Sequence, residues 1–498
     1  MHMSLSHNPI TGVEYTLPDV EEDRQSIERF LAKNIGKPVV VVQGLGFVGA
    51  VMSLVCANAL TKDYAVIGVD LLSPETYWRI RSLNEGTFPL VADDPLIDEF
   101  YRKAIIHGNF FATYDPAAYE YANVVIVDVN LDVQKVTGDR GELHDFAVDI
   151  TGFKSAIQTI ASHCREDVLL LVETTVPPGT CQQVVKPIMD DVLRHRGART
   201  DLYKLGHSYE RVMPGPEYIH SIRAFPRVYS GISAQSADAV EAFLRTIIDT
   251  SSCELRRLGS TTATEMAKVL ENSYRAMNIS FVVEWSRFAE EAGVNLYEIV
   301  DAIRVRKTHA NLMFPGIGVG GYCLTKDPLL ASWSREKVFG ANTGLNNSVN
   351  SVATNDRMPL YAFERLSRVC GDLNGKQIAV LGVSYRGDVG DTRFTPVNLF
   401  VTCLENAGAS VMCHDPFVAF WPERERVVGQ DLTKVLAANP AVVVISTGHK
   451  QYMREETVAL LMGCNPMTVF DTIGLLTAKQ IKLLATRHVI SVLGRGDL

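Results

Sequence analysis

No stretch of eighteen consecutive apolar residues occurs in the 498-residue chain, so a membrane-spanning helix is not expected, nor a membrane as partner. The start MHMSLSHNPITG lacks a charged segment followed by an apolar one, and a cytoplasmic location is expected. Cysteine pairing is missing too: the nine cysteines (56, 164, 181, 253, 323, 370, 403, 413 and 464) are odd in number and scattered, with no CxxC. Neither a disulfide framework nor a metal site is expected from them. Positive charge is in deficit, with 48 Lys and Arg against 57 Asp and Glu. The balance argues against a nucleic-acid partner and leaves room for a local basic pocket. What remains, 47% hydrophobic and 21% charged, is the composition of a globular protein, long enough for two or three cores.

Residues 1–37 form an extension in which Ile27, Phe30 and Leu31 recur at helical spacing, predicting a short amphipathic helix that docks on the body or a partner. The valine run 39–42 then meets Gly44-Leu45-Gly46-Phe47-Val48-Gly49 and an apolar helical pattern. This is the strand, turn and helix of a dinucleotide fold: Gly44 permits the turn, Gly46 lets a pyrophosphate approach, and Gly49 lets helix pack on strand. A second strand, YAVIGVD, ends in Asp70, 26 residues beyond Gly44. A carboxylate there can bind the adenosine ribose hydroxyls and repels a 2′-phosphate, favouring NAD over NADP.

NVVIVDVN (123–130) and DVLLLVETTVPPGT (167–180) read as further buried strands of a parallel sheet. Ligands bind beyond the carboxyl ends of such strands, where Glu173, Thr174 and Thr175 would lie; strand-end capping by the Thr-Thr-Val-Pro turn explains the same residues. In LGHSYERVMPGPEYIHSIRAFPRVYSG, Glu210 is a candidate acid or base and Arg223 and Arg227 candidate phosphate ligands, although a solvated ion pair accounts for Glu210 and Arg211 as well. From Thr261 to Ala292 runs the longest helical pattern, in which Met266, Val269, Leu270, Tyr274, Met277, Phe281 and Trp285 predict a long helix that is buried or forms a dimer. Lys268 and Asn272, four apart, share one face of it, and by composition alone such a face is solvated. Arg304, Arg306 and Lys307 add positive charge suited to a phosphorylated substrate.

FPGIGVGGYCLTKDP (314–328) follows, with four glycines running into Cys323 and with Lys326 and Asp327 behind it. Such a loop is shaped around a ligand and offers a thiol that can become a nucleophile; a flexible loop around a buried cysteine is the plainer reading. A helical stretch at 346–370 leads into a second, smaller α/β sheet built from Ile378 to Leu381, ASVMCHDP, AVVVIST and MTVFDT, without a full GxGxxG. The fold expected is therefore α/β, two Rossmann-like doubly wound lobes joined by a long central helix. Its domains are an extension (1–37), a dinucleotide domain (38–232), a central helical region with the cysteine loop (233–371) and a C-terminal α/β domain (372–498).

The order GLGFVG, TTVPPGT, SYERVMPG, EMAKVLENSYR, GIGVGGYCLTKDP, LGVSYRGDVGDTR and HDP resembles the UDP-glucose/GDP-mannose dehydrogenase family over about residues 38–498. The resemblance implies an NAD-dependent, four-electron oxidation of the C6 alcohol of a nucleotide sugar to a uronic acid, a reaction of polysaccharide biosynthesis. By motif position it implies Cys323 as nucleophile and Asp327 as the carboxylate assisting proton movement. It likewise implies Lys268 and Asn272 as oxyanion donors, Glu210 as the acid of the sugar loop, and Thr175 as orderer of a water near the cofactor. Arg393 would approach NAD from the C-terminal lobe, with Arg211, Lys307, Gly320, Tyr322 and Arg386 among the substrate contacts. ERVMPG is closer to the branch acting on UDP-N-acetylhexosamines than to UDP-glucose enzymes, a UDP-glucose or GDP-mannose 6-dehydrogenase is the alternative, and a homodimer or higher homo-oligomer is expected. VDVNLDVQKV departs from the family's glycine-threonine-proline turn, and Arg386 stands where lysine is usual. A two-electron hydroxy-acid dehydrogenase would need no Cys323, and a non-catalytic nucleotide-sugar-binding regulator would form no NADH.

Overall fold

The computed structural model describes residues 5–18, 23–89, 94–138, 143–212 and 215–498. Met213 and Pro214 of the expected sugar loop lie outside them. The chain divides into two compact units, one of Met1–Val133, Val148–Val269 and Trp333–Ala341, the other of Gln134–Ala147, Leu270–Ser332 and Asn342–Leu498.

The first unit is built on an eight-stranded sheet. Its strands are β1 Val39–Gln43, β2 Ala65–Val69, β3 Phe110–Thr113, β4 Val124–Val127, β5 Leu169–Val172, β6 Lys204–His207, β7 Arg227–Gly231 and β8 Leu255–Arg257, in the order β8-β7-β6-β5-β4-β1-β2-β3. Only β6 and β7 pair antiparallel. Strand alternation explains the unbroken valines: Val40 and Val42 pack with helix α1 (Gly49–Ala57), while Val39 and Val41 pack with Phe153 and Ile157. A sheet covered on both faces needs apolar residues at every position. The order reverses between β1 and β4, the switch point beside which α/β sheets bind ligands. The extension's helix, Arg24–Lys33, buries Ile27 and Phe30 on this unit, with Phe30 stacked on Phe111.

The second unit carries a five-stranded parallel sheet of β9 Gln377–Leu381, β10 Ser410–His414, β11 Val442–Ile445, β12 Thr468–Asp471 and β13 Val489–Val492, in the order β10-β9-β11-β12-β13. VDVNLDVQKV, which departs from the family's turn, runs into a two-stranded sheet: Asp132–Thr137 pairs with Leu143–Asp149, and Lys135 is ion-paired with Asp356 at 2.6 Å. The helical stretch 346–370 is two helices, Asn346–Asp356 and Met358–Cys370, because Pro359 has no N–H and seats itself in a first turn.

The long helix α2, Thr261–Glu291, forms as expected but is not buried along its apolar stripe. Val269 is buried, whereas Met266, Leu270, Tyr274, Met277, Phe281 and Trp285, continued by Phe288, are between 38% and 63% exposed. Ser273, Ala276, Ser280 and Ser286 occupy the buried face together with Ile279, Val282 and Val283. The exposed steps of 4, 4, 3, 4, 4 and 3 residues repeat every eleven, close to the pitch of a straight helix. The stripe therefore stays on one side.

Candidate active site

In the first unit the glycine turn has the shape its sequence implies. Gly44 has φ +95° and a side chain there would strike the Asp128 carbonyl, while one on Gly49 would strike the carbonyl of Gly44. Among the described residues nothing lies within 4 Å of the position a Gly46 side chain would take. The backbone is thus open where a pyrophosphate must approach and closed where helix meets strand, and these residues fit a dinucleotide. Phe47 and Val48 are half-buried within the turn, and the Tyr218 hydroxyl donates to the Phe47 carbonyl. Asp70 accepts from the backbone N–H of Leu45 at 3.1 Å and of Leu71 at 2.8 Å, with Arg79 3.7 Å away. Burial raises its carboxyl, against the pull of Arg79.

Beyond the carboxyl ends of β5 and β6 lie Thr175, half-buried, and Glu210, buried. Lys268, near the start of α2, is only 6% exposed: its Nζ donates to the Glu210 carbonyl at 2.8 Å, lies 3.4 Å from Glu210 Oε1, and sits 5.4 Å from the Tyr209 ring centroid. The solvated face that composition favours is overturned here, because a lysine at this depth is held by a carboxylate, a carbonyl and a ring. Glu210 also accepts from the Val212 N–H. The solvated Glu210–Arg211 pair is overturned as well, since Arg211 donates to the Pro226 carbonyl at 2.9 Å. Arg227 is no phosphate ligand: it is buried in an ion pair with Glu173. Arg223 donates to the Asn58 carbonyl at 3.0 Å with its guanidinium over Phe100.

In the second unit the cysteine loop is tied down by its glycines. A side chain on Gly320 would meet the Phe394 carbonyl and Tyr385, and one on Gly321 the Tyr385 ring. Gly321 N–H donates to the Arg393 carbonyl at 3.1 Å, and Asn355 clasps Val319 through two hydrogen bonds of 2.7 and 2.8 Å. Cys323 is half-buried at the mouth of helix α3, Asp327–Lys337, its carbonyl accepting from the N–H groups of Lys326 and Asp327 at 3.2 and 2.9 Å. Asp327 is fully buried: Oδ2 accepts from Asn272 Nδ2 at 2.6 Å and Oδ1 lies 3.2 Å from Lys326 Nζ. The same ammonium stands 4.5 Å from the Tyr322 ring centroid.

The LGVSYRGDVGDTR loop is pinned from below by buried Asp415, which accepts from Val383 N–H, Ser384 N–H and His449 Nε2 at 2.9, 3.1 and 3.0 Å. Burial pushes that carboxyl up, but His449 and the backbone donors outweigh it and hold it below the ordinary range. Arg393 pairs with Asp391 at 2.7 Å, while Arg386 and Lys307 are exposed. Sequence reasoning did not single out Tyr209, the ring under Lys268, or Tyr385, the plate under Gly321, although each adjoins a residue it did name.

Three family models match in series: the NAD binding domain of the UDP-glucose/GDP-mannose dehydrogenase family over residues 38–248, its central domain over 262–355 and its UDP binding domain over 379–478. A UDP-N-acetyl-D-mannosamine dehydrogenase of Pyrococcus horikoshii is 30% identical over 421 residues, covering 83% of this chain and 90% of that one. One of Methanocaldococcus jannaschii is 30% identical over 409 residues, covering 81% and 86%. The solved UDP-D-ManNAc dehydrogenase structure from Pyrococcus horikoshii superposes with a TM-score of 0.75 at 26% identity, covering 92% of this chain and all of that one.

Proposed function

The chain belongs to the UDP-glucose/GDP-mannose dehydrogenase family and is a nucleotide-sugar dehydrogenase, and from that premise we propose that it oxidises the C6 hydroxyl of a UDP-N-acetylhexosamine to the uronic acid in two NAD-dependent steps. The reading rests above all on relatives named for UDP-N-acetyl-D-mannosamine, similar to this chain over most of their length. When bound at the Gly44–Gly49 turn, NAD supplies a hydride acceptor for each step. The chain's own residues do the rest. Lys268, held by Glu210, offers a preorganised cation to the oxygen that gains charge as C6 is oxidised. Cys323 adds through its thiolate to the C6 aldehyde, holding it as a thiohemiacetal that is oxidised to a thioester; water then releases the acid and the thiol. Asp327, oriented by Asn272, serves as the carboxylate that moves protons in this exchange. Glu210 and Thr175 order the sugar and a water, and Arg393 takes part in binding NAD.

Arg211, Lys307, Gly320, Tyr322 and Arg386 contact the substrate, whose nucleotide the C-terminal domain, 372–498, holds. A second copy of the chain covers the exposed stripe of α2, making the enzyme a homodimer. No described helix is long and apolar enough to cross a membrane; the cytoplasmic location is part of the proposal. An NADH assay across UDP- and GDP-sugars tests the reading: two NADH per UDP-N-acetylhexosamine are expected. Turnover of UDP-glucose alone would overturn the substrate, and one NADH per sugar the four-electron course.

A further inference from the structure

The residue that closes the back of the glycine turn is an acid that the reaction above leaves unused. Asp128 follows β4 directly, its N–H donating to the Gln43 carbonyl at 2.8 Å. Its carbonyl blocks any side chain at Gly44, and its Cβ lies 3.2 Å from where a Gly49 side chain would begin. It therefore touches both glycines that shape the pyrophosphate cradle, at the switch point of the sheet. The residue is partly exposed, but its Oδ2 is closed to solvent and has no hydrogen-bond partner among the described residues. Ionised, that oxygen would hold charge with neither water nor a donor on it.

The charges around it are of both signs. Glu210, on the segment after β6, faces it with like charge; Arg227 on β7 faces it with opposite charge but is itself paired with Glu173; Cys56 on α1 is a thiol that burial keeps neutral. Burial, with Glu210 adding and Arg227 opposing, raises the Asp128 carboxyl well above the usual carboxylate range. A diphosphate brought to Gly46 would add two further negative charges beside it.

We propose that Asp128 makes dinucleotide binding proton-linked: neutral, it walls the turn without opposing a diphosphate, and ionised, it expels one. By reciprocity, binding of the dinucleotide holds the proton on Asp128. The inference rests on the NAD reading, and Asp128 is a positioning residue for the cofactor rather than a participant in hydride transfer.

NADH fluorescence titrations between about pH 6 and 9.5 on the wild type, D128N and E210Q test it without turnover. The wild-type Kd is expected to be flat at low pH and then to rise, approaching about tenfold per pH unit past the break. D128N should be flat throughout, and E210Q should move the break to lower pH by removing the charge that disfavours ionisation. Should D128N fail to fold, D128S carries the same expectation. A D128N profile with the wild-type break, or a flat wild-type profile, overturns the proposal. Absence of NADH binding at every pH overturns the NAD reading and the proposal with it.

Discussion

Lys268 and Glu210 form a buried unit whose two members cannot be removed independently. Their side chains are 8% and 10% exposed, so neither charge is screened as a surface pair would be. In K268M the Glu210 carboxylate keeps one backbone donor, the Val212 N–H, and loses its counter-charge. Leaving a buried charge unpaired costs about 3–5 kcal/mol. E210Q spares Lys268 its carbonyl partner and the Tyr209 ring, so the cost there should be nearer about 1–3 kcal/mol. In the double variant no charge is stranded, and its cost should fall short of the sum by about 1–3 kcal/mol. Urea denaturation of the four proteins at neutral pH, with midpoints compared at constant slope, measures the cycle. Additivity within about 0.5 kcal/mol would refute the pairing. The same cycle carries a kinetic arm: K268M should lower kcat about 10²–10³-fold, as loss of an oxyanion donor does, with NADH affinity unchanged.

C323S should bind NADH like the wild type yet form no uronate; two NADH per sugar from that variant would remove the covalent course. D327N keeps the shape of the site but confronts the Asn272 amide with another amide, and should slow acid release about 100-fold or more, read as accumulation of enzyme-bound thioester by mass spectrometry. Phe281 and Trp285 are each about half exposed, so covering them is worth about 1 kcal/mol per ring and copy. F281E with W285E should weaken self-association by about 100-fold or more in sedimentation equilibrium, and an unchanged dimer would place the interface elsewhere. His207 is buried and pulled down to about 3, chiefly by burial. The unfolded chain binds that proton below about pH 6.5 while the native one does not, so this contribution to stability is complete above pH 6.5 and lost as the pH falls toward 3. H207Q should flatten acid denaturation in that window, and an unaltered acid midpoint would show that His207 is not its source.

The sequence by itself determined the features that follow from covalent spacing and period. Valines at 39–42 followed by glycines at 44, 46 and 49 can only satisfy both faces of a covered sheet and the turn that leaves it, and Asp70 falls at the next strand end by length alone. The glycines ahead of Cys323 likewise marked a loop whose backbone must pass close to something, which proved to be Tyr385 and the Phe394 carbonyl. Tertiary structure decided what depends on which groups share a volume. A lysine on a helix is solvated unless a carboxylate from another segment meets it, and Glu210, 58 residues earlier, does so. The broad apolar pattern of α2 resolved into a buried face of serine, alanine and β-branched residues and an exposed stripe of large ones, because the chain's own neighbours reach only one side. Arg227 met Glu173 rather than a ligand, a pairing across 54 positions that no local spacing announces. Asp128 gave only a departure from pattern in the sequence. Its place against both turn glycines, within the field of Glu210, is a property of the folded sheet, where strands distant along the chain end side by side.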